Sequence, residues 1–255
     1  MNRIDACFQE RRAQGRKVLV GYLTAGDPDM TVSEADMRAA VAGGVDILEL
    51  GVPFSDPTAD GPVIQAAAFR SLQAGTTTTT VLELVRRLRR DLATPIVLFG
   101  YANPVFAYGY ERFCRDAAAA GADGLLIVDL PYEEAGELRA AAARHGLALI
   151  PLIAPTTPKE RASVILAKAT GFVYYILFRG VTGARHAVAD DAAAQIQTLR
   201  EVTALPIAAG FGVSEGTQAR AVAGLADGVV VGSAFVKAAR EGRLSQLVRE
   251  LRAAI

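Results

Sequence analysis

The sequence has few of the residues that build metal centres and disulfide frameworks. Its 255 residues include two cysteines and two histidines. Cys7 and Cys114 lie far apart and show neither CxxC nor Cys/His spacing, so neither a zinc site nor a disulfide framework is indicated. Neither histidine is spaced with carboxylates for metal ligation, and no metal is expected.

Long apolar runs and an excess of one charge are also absent. No run approaches the roughly eighteen apolar residues of a membrane-spanning helix, and the polar N-terminus lacks the apolar centre of a signal peptide. Lys plus Arg and Asp plus Glu both number 27, so no broad positive field attracts nucleic acid or anionic membranes. These features predict a cytoplasmic protein that binds a small molecule and neither nucleic acid nor membrane.

Short apolar runs, in contrast, recur along the whole chain. Their apolar residues are consecutive rather than alternating, which is typical of parallel strands covered on both faces. Eight runs predict eight strands, at residues 18–23, 46–50, 95–101, 124–128, 147–153, 172–177, 206–209 and 228–231.

Segments with helical periodicity lie between these runs. Eight repeats of strand and helix, with no linker or change of composition, favour an α/β fold: a single (β/α)8 TIM barrel over residues 1–255, with an extra N-terminal helix. An open doubly wound sheet is the alternative, although no GxGxxG motif follows the first strand. Capping-box spacing predicts three helix starts, at Thr31 with Glu34, Thr80 with Glu83 and Thr157 with Glu160.

A weak internal repeat supports the same fold. AGGVDILEL at 42–50, AGADGLLIV at 120–128 and AGLADGVVV at 223–231 each contain a helix end, a turn of small residues, an aspartate and a buried strand. The repeating unit is therefore a helix followed by a strand.

Acidic residues at the second strand are the first candidates for chemistry, because barrel active sites lie at the carboxyl ends of strands. Glu49 lies in an apolar strand, where burial raises the pKa of a carboxyl group toward the range useful for proton transfer. An ion-paired or outward-facing Glu49 is the alternative. Asp56 and Asp60 follow in a loop with three prolines, and Asp129 follows the fourth strand. By residue type and position alone, these aspartates are more typical of turn or cap residues than of catalytic groups.

Glycine turns after the last three strands indicate a phosphate site. They occupy 180–183, 210–212 and 232–233, and the last one opens a short helix at Ala234. Backbone amides in such turns bind anions, and barrels commonly place a phosphate there.

No predicted strand holds a lysine, which disfavours a Schiff-base aldolase.

Several motifs also occur in a specific order. They are YLTAGDPD at 22–29, ELGVPFSDPTADGPVIQ at 49–65, GYANP at 100–104, DLP at 129–131, APTTP at 154–158, GVTGAR at 180–185, GFGVS at 210–214 and DGVVVGSA at 227–234. In this order and spacing the chain resembles the alpha subunit family of tryptophan synthase.

The resemblance implies a lyase of tryptophan biosynthesis that needs no cofactor. Its reaction is the retro-aldol cleavage of indole-3-glycerol phosphate to indole and glyceraldehyde 3-phosphate. Glu49 matches the family's acid/base residue, and Asp60 matches the carboxylate that hydrogen-bonds the indole N–H. The resemblance also implies a substrate site at Tyr22, Ile64, Phe99, Leu126, Asp129, Tyr174 and Thr182, and a phosphate site at Gly183, Phe211, Gly212, Gly232 and Ser233.

The implied partner is a beta subunit that carries pyridoxal phosphate, in an alpha2-beta2 heterotetramer. Pro53 and Asp56 match interface positions of the family. Three alternatives remain: a stand-alone lyase of a specialised pathway, a weakly active barrel that activates a beta subunit, and an isomerase or aldolase acting on another phosphorylated metabolite.

Overall fold

The computed structural model describes residues 2–177, 185–210 and 212–255. Within these residues, nine strands form one sheet in which neighbouring strands are parallel. The strands are β1 (Val18–Thr24), β2 (Ile47–Gly51), β3 (Ile96–Gly100), β4 (Gly124–Ile127), β5 (Ala148–Leu149), β6 (Leu152–Ile153), β7 (Val173–Ile176), β8 (Ile207–Gly210) and β9 (Gly228–Val231).

The sheet closes on itself through the predicted fifth strand. That strand is divided: β5 pairs with β4, whereas β6 pairs with β7. Ile150 and Pro151 separate the two pieces, and proline has no N–H to donate to a ladder. The carbonyl of Pro151 still accepts the Tyr174 N–H at 2.9 Å. Since β5 and β6 are the two ends of the sheet and follow one another in the chain, the ring is complete, and the prediction of a (β/α)8 barrel is confirmed.

Twelve helices are described in the same ranges. They are α1 (Arg3–Ala13), α2 (Met30–Gly43), α3 (Pro62–Gln73), α4 (Thr78–Arg89), α5 (Ala102–Tyr108), α6 (Tyr110–Ala120), α7 (Gly136–Arg144), α8 (Lys159–Leu166), α9 (Arg185–Arg200), α10 (Gly216–Ala223), α11 (Ser233–Arg240) and α12 (Leu244–Ala254). None of the helices described combines the length and apolar character that crossing a bilayer requires.

The predicted capping boxes are wrong in detail. The side chain of Asp29, two residues before Thr31, caps α2, and Thr77 forms a capping box with Thr80 at the start of α4. Pro158 precedes α8, which has no side-chain cap. A threonine three residues before a glutamate also occurs inside helices, so this spacing alone does not show at which residue a helix begins.

Alternate strand residues fill the inside of the barrel. The N-terminal helix α1 closes its lower end, where Phe8 and Phe172 have ring centres 5.5 Å apart. The inner cluster consists of Ile4 and Phe8 from α1 with Val18, Val20, Ile47, Val97, Leu126, Ala148, Ile150, Phe172, Ala208 and Val230. By strand alternation the next inward positions toward the carboxyl ends are Tyr22, Glu49, Phe99 and Tyr174.

The aspartates of the internal repeat lie at the lower end of the barrel. Each begins or precedes a strand and accepts the N–H of a neighbouring strand. The pairs are Leu19 to Asp46 at 2.8 Å, Ile96 to Asp123 at 2.8 Å and Ile207 to Asp227 at 3.0 Å.

Arginines of α1 bind the same three aspartates. The ion pairs are Arg11 with Asp46 at 2.8 Å, Arg3 with Asp123 at 2.8 Å and Arg12 with Asp227 at 3.6 Å. The repeat therefore fastens the extra N-terminal helix across the lower opening, and the upper opening is the end at which a site can form.

Candidate active site

Glu49 lies in the middle of β2 with its side chain directed into the barrel. The residue is 0% exposed, and neither carboxylate oxygen has a hydrogen-bond partner among the described residues. Burial raises the pKa of this carboxyl group to about 8. Its strand neighbours in register are Tyr22 on β1 and Val97 on β3. A buried carboxyl group with a pKa near neutrality can both donate and accept a proton.

Asp60 lies on the loop between β2 and α3 and is held by a tyrosine. The Tyr101 hydroxyl donates to its carboxylate at 3.0 Å and accepts the N–H of Ala59, also at 3.0 Å. Burial raises the pKa of Asp60, and the hydrogen bond from Tyr101 opposes that rise. The ring of Tyr101 also contacts Phe54, with 5.3 Å between ring centres. Tyr101 thus fixes the loop at both Phe54 and Asp60.

The two carboxylates share a neighbourhood with two tyrosines. Burial raises the pKa of Tyr22, and the charges of Asp60 and Glu49 raise it further. The pKa of Tyr174 is raised by burial and then by Glu49 and Asp60. Both acids therefore lie close to the same two tyrosines and border one space at the upper end of the barrel.

Aromatic and aliphatic side chains form one wall of this space. Tyr22 and Phe99 contact edge to face, with ring centres 5.1 Å apart. Ile64, from α3, packs on the same cluster. Gly51 leaves room for the Tyr22 hydroxyl, since a Cβ on Gly51 would lie 2.1 Å from that oxygen. The result is a flat apolar pocket beside the acids.

The start of α11 lies against this pocket. A Cβ on Gly232 would lie 3.8 Å from both Ile64 and Tyr22. Ser233 is the first residue of α11, whose start has no side-chain cap, so its first amides lack partners within the helix. Gly212 adopts a positive φ of 73°, which glycine tolerates. Uncapped helix amides next to an apolar pocket suit a ligand with a ring at one end and an anion at the other.

Comparison with known proteins identifies the family. Residues 8–253 match the sequence profile of the tryptophan synthase alpha chain. A tryptophan synthase alpha chain from Geobacter sp. (strain M21) is 50% identical over 251 residues, which cover 98% of this chain and 94% of that protein. One from Gluconacetobacter diazotrophicus is 52% identical over 237 residues, covering 92% of this chain and 86% of that protein.

The chain belongs to the tryptophan synthase alpha chain family. Family membership confirms the predicted activity, a lyase reaction on indole-3-glycerol phosphate in tryptophan biosynthesis.

Solved structures agree with this assignment over the whole chain. Tryptophan synthase subunit alpha from Legionella pneumophila str. Paris superposes with a TM-score of 0.91 at 38% identity, covering 100% of this chain and 98% of that chain. A tryptophan synthase structure from Mycobacterium tuberculosis gives a TM-score of 0.92 at 40% identity, with the same coverage.

Most of the site residues predicted for a tryptophan synthase alpha chain converge in the structure. Glu49, Tyr22, Phe99, Leu126 and Tyr174 all occupy inward positions of the barrel. The predicted residues Thr182, Gly183 and Phe211 lie outside the described residues.

Asp129 and Pro53 stand apart from this group. Asp129 is exposed and accepts the N–H of Ala102 at 2.7 Å, so its carboxylate caps the start of α5. Pro53 is buried within the chain, whereas Asp56 on the same loop is exposed and accepts a hydrogen bond from the Ser55 hydroxyl at 2.6 Å.

Tyr101 was missed by sequence reasoning. Its contact with Asp60 spans 41 residues of sequence. A signal was present, because Tyr101 lies within the GYANP motif at the end of the third predicted strand, where barrel enzymes place functional groups. No cluster of three or more histidine, cysteine, aspartate or glutamate side chains suited to a metal was found among the residues that the structure describes.

Proposed function

We propose that Glu49 is the general acid and base of the cleavage of indole-3-glycerol phosphate, and that Asp60 binds the indole N–H. One observation carries this assignment. Glu49 is fully buried at the inner face of the barrel without a partner among the described residues, and burial raises its pKa to about 8. Nothing in the described fold uses this carboxyl group for structure.

The reaction needs one proton delivered and one removed. Near neutral pH, Glu49 is largely protonated and can give its proton to C3 of indole. The positive charge that appears on the ring nitrogen is stabilised by the Asp60 carboxylate. The ionised Glu49 then removes the proton of the glycerol hydroxyl. The carbon–carbon bond breaks, its electron pair returns to the ring, and indole and the aldehyde are released.

The apolar wall holds the indole ring in this scheme. Tyr22 and Phe99 provide an edge-to-face corner, and Ile64, Leu126 and Tyr174 complete the lining. Flat apolar surfaces of this kind select a bicyclic aromatic group and keep water from the reacting carbon.

The phosphate binds at the opposite end of the substrate. Gly232 and Ser233 at the start of α11 and Gly212 after β8 provide amides and the positive end of a helix dipole. Gly183 and Phe211 are expected to complete this end, and Thr182 is expected to contact the substrate. A substrate held at its ring by the apolar wall and at its phosphate by the glycine turns would have its scissile carbon–carbon bond beside Glu49.

The proposed partner is a tryptophan synthase beta subunit, in an alpha2-beta2 assembly. The supporting feature is exposure at the carboxyl ends of two adjacent strands. Asp56, on the loop after β2, is exposed, and Phe106, on α5 after β3, is 67% exposed although it is a large apolar residue. Pro53, on the same loop as Asp56, is buried and would hold that loop against the barrel. Exposed aromatic residues next to a charged loop are typical of protein interfaces.

Indole release from indole-3-glycerol phosphate tests the roles of the two acids. Glu49→Gln should reduce kcat by at least about a thousandfold, because glutamine can neither give a proton to C3 of indole nor remove the proton of the glycerol hydroxyl. Asp60→Asn should reduce it by about a hundredfold or more, because one charge-stabilising group is removed. Glu83→Gln, at an exposed position on α4, is the matched control and should be unchanged. Glu49 and Asp60 variants as active as the parent would refute these roles.

The same assay with and without an added beta subunit tests the partner. Stimulation of indole release supports the synthase subunit. Strong turnover that the beta subunit leaves unchanged would instead identify a stand-alone lyase. Negligible turnover together with activation of the beta subunit would identify an activator, and would contradict the catalytic roles.

A further inference from the structure

A cavity lies at the place where the fifth strand is divided, and Ile150 of the inner cluster lines part of it. β5 pairs with β4 at Gly124 and Leu125, after which the chain turns at Pro151 to pair with β7. Leu126 and Ile127, the last two residues of β4, are therefore not paired with β5 or β6 among the described residues. α7 and α8 cover the gap, and a cavity of about 340 Å³ remains beneath them. We call it the α7–α8 cavity.

The cavity has an apolar floor and a basic rim. Ile127, Leu130, Leu149 and Ile165 line the floor. Three cationic side chains, Arg139, Arg161 and Lys168, line the rim together with one carboxylate, that of Asp129.

The charges at the rim are unequally compensated. Arg161 forms an ion pair with Glu133 through both guanidinium nitrogens. The Asp129 carboxylate is engaged with the Ala102 N–H. Arg139 and Lys168 have no carboxylate partner among the described residues, in a chain whose total charge is zero. With Glu133 and Asp129 counted against the three cations, the charged groups at the rim leave one net positive charge, and Arg139 and Lys168 are free to bind a ligand anion.

The geometry around Arg139 favours a flat ligand. Its guanidinium carbon lies 4.3 Å from the centre of the Tyr132 ring, and it donates to the Tyr132 carbonyl at 3.0 Å. These contacts hold the guanidinium plane in place, so that its remaining N–H groups are already oriented. Fixed Arg groups beside apolar walls recognise carboxylates attached to rings.

We propose that the α7–α8 cavity binds an aromatic carboxylate. The ring packs on Ile127, Leu149 and Ile165, and the carboxylate is bound by Arg139 and Lys168. The volume lies at the lower end of the range for ligand pockets, roughly 300 to 1,000 Å³, which suits an acid of one or two rings. The residues that line this cavity include neither Glu49 nor Asp60, so binding here does not depend on the reaction proposed for those two acids.

Titration with 2-naphthoate tests the cavity directly. The sequence contains no tryptophan, so naphthalene emission can be followed without interference from that residue, alongside calorimetry. Arg139→Gln combined with Lys168→Gln should weaken binding at least about tenfold, as expected for the loss of charge-assisted hydrogen bonds. Lys168→Glu changes an exposed side chain and should weaken binding in a chain with unaltered thermal stability. Arg90→Gln combined with Arg249→Gln removes two exposed charges elsewhere and is the control.

Two further measurements separate this cavity from the barrel mouth. The neutral analogue 2-naphthamide should bind at least about tenfold more weakly than the acid. Gly232→Val narrows the barrel mouth beside Ile64 and Tyr22, and should leave binding of 2-naphthoate unchanged. If Gly232→Val abolishes binding, or Lys168→Glu leaves it intact, the ligand occupies another site and the inference is wrong. Absence of measurable binding to the parent chain would also overturn it.

Discussion

Replacing Glu49 by glutamine should stabilise the folded chain, and the gain should grow with pH. The folded state raises the pKa of this carboxyl group from 4.5 to about 8 through burial. Between these two values the folded chain binds more protons than the unfolded chain, so stability falls as the pH rises. Glutamine is neutral at every pH and avoids this loss.

The size of the effect follows from the two pKa values. One pKa unit corresponds to about 1.4 kcal/mol. Relative to its value in acid, the unfolding free energy of the parent is lowered by about 3 kcal/mol at pH 7 and by about 5 kcal/mol well above pH 8. Well below pH 4.5 the side chain is neutral in both states, and the variant and the parent should be nearly equally stable. The absence of a partner for Glu49 in the described residues means that no hydrogen bond offsets the gain.

Urea unfolding followed by far-UV circular dichroism at pH 4, 5.5, 7 and 8.5 would measure this difference. Glu83→Gln, at an exposed position, should show no comparable trend with pH. A stability difference for Glu49→Gln that stays constant across the series would refute the raised pKa. A difference of the opposite sign would show that Glu49 is ionised and paired in the folded state.

Three further changes test other contacts. Gly51→Ala places a methyl group 2.1 Å from the Tyr22 hydroxyl and 2.5 Å from the ring carbon that bears it, and should cost about 1–3 kcal/mol. In a Tyr22→Ala background, which lacks these atoms, Gly51→Ala should lower the thermal stability much less, and an equal loss would contradict the clash. Tyr101→Phe removes the hydrogen bond that lowers the pKa of Asp60. The acid limb of the pH profile of kcat/KM should therefore move to higher pH. An unmoved limb would show that this bond does not control the pKa of Asp60. Asp123→Asn breaks the ion pairs of Asp123 with Arg3 and Arg89 at a buried position and should lower the unfolding free energy by about 3 kcal/mol in urea titrations. A loss below about 0.5 kcal/mol would show that the ion pair with Arg3 does not stabilise the attachment of α1 to the barrel.

Much of the fold was predictable because its signals are local. A parallel strand covered on both faces must be apolar at consecutive positions, and this requirement is visible in any short window of sequence. The position of Glu49 in such a strand likewise predicted a buried carboxyl group, and the structure does bury it, which raises its pKa. The first residues of the helices were harder to predict from the sequence, because several nearby residues can act as the cap. Asp29 rather than Thr31 caps α2.

The sequence by itself determined the alternation of strands and helices, favoured the barrel that they form and placed an acid within the second strand. The tertiary structure alone decided that Pro151 divides the fifth strand, that Tyr101 holds Asp60, and that arginines of α1 bind the aspartates of the repeat. These partners are separated by tens of residues or more in the chain. They meet only when the ring closes, and no local pattern of apolar and polar residues encodes which side chains closure brings within hydrogen-bonding distance.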